Sequence, residues 1–145
     1  MTLALIPEAD ALIAGWLRGH PDVIALDANV AGTLPDTIVK SWIRVTLLDG
    51  RDDERCRVEH LVDFMVQLDC YAGRDSTREG EGQGEASTLA RTARAVLKAA
   101  EGATVAGVVV TRVRFTGHIR VPDTDMEPAR ERYIVTAEVM LHRAA

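Results

Sequence analysis

Residues 58–71 read VEHLVDFMVQLDCY, and this stretch decides the fold. Val58, His60, Val62, Phe64, Val66, Leu68 and Cys70 hold the even positions, with Glu59, Asp63, Gln67 and Asp69 alternating against them. Such a sustained period of two defines a long β-strand with one face on a core. Leu61 and Met65 interrupt the polar set, which predicts that part of the second face is covered, for instance by a neighbouring subunit. Asp63, Gln67 and Asp69 read as a solvated row rather than as carboxylates arranged for acid–base work. His60 sits on the apolar face and reads as a core-edge histidine.

Upstream, residues 38–48 form a first strand, with Ile38, Trp42, Val45 and Leu47 apolar and Lys40 and Arg44 polar. Asp49-Gly50 is a turn signal, and the charged residues 51–57 lead into the long strand, making a hairpin with a solvated tip. Residues 5–17 read as an amphipathic helix carrying Leu12, Ile13, Trp16 and Leu17, stopped by Gly19 and Pro21. Residues 23–36 read as a loop or short extended connection. Downstream, a polar, Gly-rich loop at 73–84 opens a helix at 85–100. There Ala86, Leu89, Ala90, Ala93, Val96, Leu97 and Ala100 keep the three-four spacing of a buried face. Gly102 stops it. Residues 105–121 read as a third strand, 121–128 as a loop, and 130–142 as a fourth strand. The order α-β-β-α-β-β predicts an α+β fold. Its sheet is mainly antiparallel or mixed, with helices packed on one face, in one domain over residues 1–145.

With 47% hydrophobic and 27% charged residues, the chain has the composition of a soluble globular protein. A net charge of −5 argues against a protein built to grip phosphate backbone. No apolar run approaches the length of a membrane span. The N-terminus lacks a basic region, and Glu8 and Asp10 break its apolar run, so it does not read as a signal peptide. Cys56 and Cys70 read as reduced thiols rather than as a disulfide framework.

Candidate chemistry is sparse. The GEGQG run at 80–84 follows a strand and opens a helix, but lacks phosphate-loop spacing, and Glu79, Glu81 and Glu85 would repel an anion. It reads as a solvent loop of the kind that orders on a partner. His20, His60, His118 and His142 have no metal-ligand spacing, and no serine has a nucleophile-elbow context. No catalytic, cofactor or metal site is expected. Arg91, Arg94 and Lys98 form a basic stripe on the second helix. With Arg112 and Arg114 on a strand they make a candidate patch for an acidic partner, although a helix face matched to its dipole explains the stripe more simply. Together with Leu61 and Met65, these five cations are the residues expected to contact subunits or partners.

The chain resembles the tail terminator (tail-completion) family of long-tailed bacteriophages. The resemblance runs through LIPEADALIAGWL, LPDTIVKSWIRV, VEHLVDFMVQLDCYAG and EASTLARTARAVLKAA, and ends on RERYIVTAEVMLHR. The acidic, Gly-rich loop departs from the family pattern by its length. The resemblance implies a non-enzymatic virion protein with no cofactor. Such a protein caps the tail tube as a homo-oligomeric ring, a hexamer, ends tail polymerisation and offers a surface for head–tail joining. Implied partners are further copies of the chain, the tail tube protein and the head-completion or connector protein. Genomic DNA would pass without specific binding, and no membrane is involved. The implied location is the virion tail at the head–tail interface, reached from the host cytoplasm during assembly. Two other readings of the residues remain: another head–tail connector or minor tail protein, and a ferredoxin-like small-ligand domain.

Overall fold

The computed structural model describes residues 9–35, 38, 40–49, 61–73, 82–126 and 129–143, with the backbone alone at positions 49, 61, 62 and 143. The expectations for His60, Cys56, the hairpin tip and most of the Gly-rich loop lie outside the described residues.

Three helices and six strands make an α+β fold. They are α1 (Ala9–Gly19), α2 (Pro21–Ala25), β1 (Asn29–Ala31), β2 (Trp42–Asp49), β3 (Leu61–Tyr71), α3 (Gln83–Ala99), β4 (Thr104–Val105), β5 (Val108–Arg120) and β6 (Arg132–Arg143). The sheet runs β1-β2-β3-β6-β5-β4. Only the β1–β2 pair is parallel; the other four are antiparallel. The expected order is recovered in α1, β2, β3, α3, β5 and β6, and three short elements are added to it.

Two of the additions have a local cause. Pro21, read as a stop, instead opens α2, because its fixed φ suits a first helical turn. His20 caps that turn, its Nδ1 accepting from the Asp22 N–H at 3.2 Å. Thus residues 21–25 are helical where a loop was expected. The single strand expected over 105–121 is broken by a two-residue turn, Ala106 (φ 49°) and Gly107 (φ 79°), between the paired Val105 and Val108. Two successive positive φ values give the hairpin turn whose twist matches its strands.

Phe64, Val66, Leu68 and Cys70 are all buried, as their even spacing predicts. They meet Val135, Ala137 and Val139 of β6 across the sheet, and Val110 and Val113 of β5 belong to the same core. Helix α3 closes this face with Ala86, Leu89, Ala90, Ala93, Val96 and Leu97, while α1 contributes Leu12, Ile13 and Leu17. In β2 the inward residues are Ile43 and Val45. Trp42 alternates to the opposite face, where its indole N–H donates to the Thr33 carbonyl at 3.1 Å. Cys70 is a buried free thiol, which burial and the neighbouring Asp69 push above the ordinary thiol pKa.

Candidate assembly surfaces

The face of the sheet away from the helices divides into two halves. At the Trp42–Tyr71 end it is polar but buried. Asp69, expected in a solvated row, has no exposure at all. Arg44, its cross-strand partner, donates to Asp69 Oδ2 from Nε at 2.9 Å and Nη2 at 2.6 Å, and Gln67 Nε2 donates to Asp69 Oδ1 at 2.8 Å. Burial works against the Arg44 charge, but the hydrogen bond and the charge of Asp69 outweigh it and hold the guanidinium pKa above its usual value. Beside this pair, the buried Tyr71 hydroxyl donates to Asp123 Oδ2 at 2.9 Å and accepts from Arg132 at 3.3 Å. Burial, followed by the bond to Asp123, raises the phenol to about 12. Arg120 and Glu131 form a two-pronged ion pair across the β5–β6 connection, at 2.9 and 2.6 Å. Asp123 and Arg130 bridge within that connection. The connection therefore folds back onto the sheet at Tyr71, beside the buried end of the row.

Toward the other end the same face is half-buried and mixed. Met65, Thr136, Glu138 and Met140 lie here by strand alternation, and Arg112 and Arg114 are exposed on β5 opposite Met140 and Glu138. Among the described residues no helix packs on this half. Met65 is thus placed where a partner could cover it. Leu61 opens β3 opposite His142, and its side chain lies outside the described set.

The three helix cations lie on the other side of the sheet from Arg112 and Arg114, so the five do not form one continuous patch. Arg94 stacks over the Phe115 ring at 4.5 Å, and its Nη1 lies 3.5 Å from His118 Nδ1. Arg91 bonds back to Ser87 and Thr88 on its own helix. Lys98 donates to Glu101 at 2.8 Å and to the Val113 carbonyl at 3.0 Å, while Glu101 accepts the Val113 N–H at 2.9 Å. Sequence spacing alone could not reveal this clamp on the backbone of β5.

Partial burial, followed by the charges of Arg94 and Arg91, lowers the His118 pKa below its ordinary 6.5. His118 therefore stays neutral in the fold at a pH where the unfolded chain protonates it, and its contribution to stability is lost as pH falls below 6.5. Proton NMR should show His118 titrating below 6.5, with Arg94→Ala moving it upward. An unmoved titration would mean that the arginines do not act on the ring.

An apolar groove of about 490 Å³ runs along α1 and reaches the Ala106 turn, lined by Ala11, Leu12, Gly15, Trp16 and their neighbours. His20 is the one ionisable side chain on its wall, so the groove lacks the convergent polar groups that orient a small substrate. Among the described residues no group of three His, Cys, Asp or Glu could hold a metal ion. No described helix is long and apolar enough to cross a membrane.

A mixed sheet with one face under helices, and with no described helix on half of the other, defines an α+β protein. The family profile described as Tail completion protein gp17 matches residues 11–138, nearly the whole chain. The chain belongs to this phage tail completion family, and is a structural component of the virion tail that interacts with other tail components. No curated protein matches the sequence.

Proposed function

We propose that this protein forms a ring, a hexamer on the family resemblance, on the end of the completed tail tube. There it stops polymerisation and presents a surface for the head-completion protein. It does so as a single domain, by contact and without catalysis. The observation that carries the reading is the family match over residues 11–138, on a sheet whose half-buried Met65 and Met140 have no described helix over them. A ring needs repeated heterologous contacts between different patches of one surface. The net charge of −5 suits a protein that lets DNA pass without holding it. Leu61 and Met65 are assigned to a subunit or tube contact, and Arg91, Arg94, Lys98, Arg112 and Arg114 to acidic surfaces of the tube or head side.

Complementation of a phage lacking the gene tests this. Overlong or headless tails are expected without the protein, and normal tails with it. Met65→Asp should reduce infectious particles at least tenfold, because an unpaired charge buried at an interface is costly. Tails of normal length, joined to heads, in the absence of the protein would end the proposal.

A further inference from the structure

The two edges of the sheet are each covered for only part of their length. Outside β2, strand β1 pairs with Trp42, Ile43 and Arg44 and goes no further. Outside β5, strand β4 pairs with Val108 and Val109. Gly102 and Ala103 then satisfy Val110, and the Glu101–Lys98 clamp satisfies Val113. Among the described residues nothing pairs outside β2 from Val45 or outside β5 from Arg114. Among the described residues these two stretches hold three of the four exposed large apolar side chains, Leu47 (40% exposed), Leu48 (48%) and Ile119 (55%). Uncovered apolar edges are what natural sheets avoid unless another chain pairs there.

The uncovered stretches lie at the same level of the sheet. Leu47 is opposite Val66, Val66 opposite Ala137, and Ala137 opposite Phe115. Asp49 is level with Arg114 through Met65 and Glu138. Backbone direction agrees as well. Val113 turns its N–H and C=O outward, to Glu101 and Lys98, so Phe115, two residues on with no bulge between, turns outward too. On β2 the Ser41 carbonyl accepts from Asn29 of the outer strand, and the same alternation turns Leu47 outward. The path from β2 to β5 crosses three antiparallel pairings, so the two edge strands run in opposite directions.

We propose that β2 residues 45–49 of one copy add antiparallel to β5 residues 114–118 of the next, continuing the sheet between subunits. Leu47 and Phe115 become a hydrogen-bonded pair on the helix side, and the register sets Asp49 against Arg114, opposite in charge, on the other side. Because the two edges differ, the contact is heterologous and closes only as a ring. The inference rests on the ring reading and names its seam.

Paired cysteines test it in the full-length protein carrying Cys56→Ser. Asp49 and Arg114 would form a non-hydrogen-bonded pair with Cα atoms about 4.5 Å apart, within disulfide reach. Oxidised D49C/R114C, assembled with tail tube protein, should give a ladder of covalent species beyond the dimer, whereas each single variant stays monomeric on a non-reducing gel. Leu47→Pro removes an outward N–H that no described residue pairs with, so the fold should survive by circular dichroism while ring yield falls at least tenfold. Rings seen by light scattering without the ladder would overturn the seam and leave the ring standing. A disulfide dimer from either single variant would show an edge pairing with itself and also overturn the seam. A strictly monomeric protein with tail tube protein present would overturn both readings.

Discussion

Arg44→Ala is expected to cost about 3 kcal/mol of stability, toward the low end for a broken buried ion pair because the guanidinium keeps some solvent contact. Asp69 has no exposure, whereas the Arg44 side chain is 30% exposed. Removing Arg44 strands a buried carboxylate with Gln67 as its remaining side-chain donor among the described residues. Asp69→Asn is therefore a structural change, because it alters a fully buried partner of Arg44. Urea unfolding of the wild type and Arg44→Ala measures the loss. The double variant Arg44→Met with Asp69→Leu should recover most of it, since an apolar pair of similar volume carries no desolvation cost. A double variant as unstable as the single would locate the loss in packing rather than in the stranded charge.

The inward face of β3 was legible because its alternation is long and its apolar residues are β-branched or large. The buried end of the opposite face was not. Asp69 and Tyr71 are covered through Arg44, Asp123 and Arg132, partners 25 to 61 residues away, and period-two reasoning carries no information at that range. Two local misreadings have local causes. Ala106 is not a turn-forming residue, so the β4–β5 turn hides inside an apolar run, and Pro21 ends one helix while suiting the first turn of the next. For the assembly surfaces, the basic residues were visible but their division was not. Arg112 and Arg114 alternate away from Val113, whereas Arg94 reaches Phe115 from the helix side. Strand order, which decides which edges remain open, depends on pairings no single segment encodes.

Arg130→Ala should produce a loss of similar size, about 3 kcal/mol, for a different reason. Arg130 is 6% exposed, and its guanidinium reaches two main-chain carbonyls from separate segments. Its Nη1 donates to the Gly73 carbonyl at 2.9 Å and its Nη2 to the Ile38 carbonyl at 3.2 Å, both at buried residues. One planar side chain thus ties the end of β3 and the lead-in to β2 to the β5–β6 connection. Its own backbone is held by Asp123 in both directions, at 2.8 and 3.1 Å. Each charge-assisted bond contributes about 1.5 kcal/mol, and alanine leaves two buried carbonyls without that donor. Lysine is a point donor that cannot hold the two-pronged geometry, so Arg130→Lys should recover about half of the loss. Hydrogen exchange adds a local readout: the Asp123 and Ala72 amides, which bond to this connection, should exchange faster in both variants while amides of central β6 keep their protection. An Arg130→Lys protein as stable as the wild type would show that the fork is not what joins these segments.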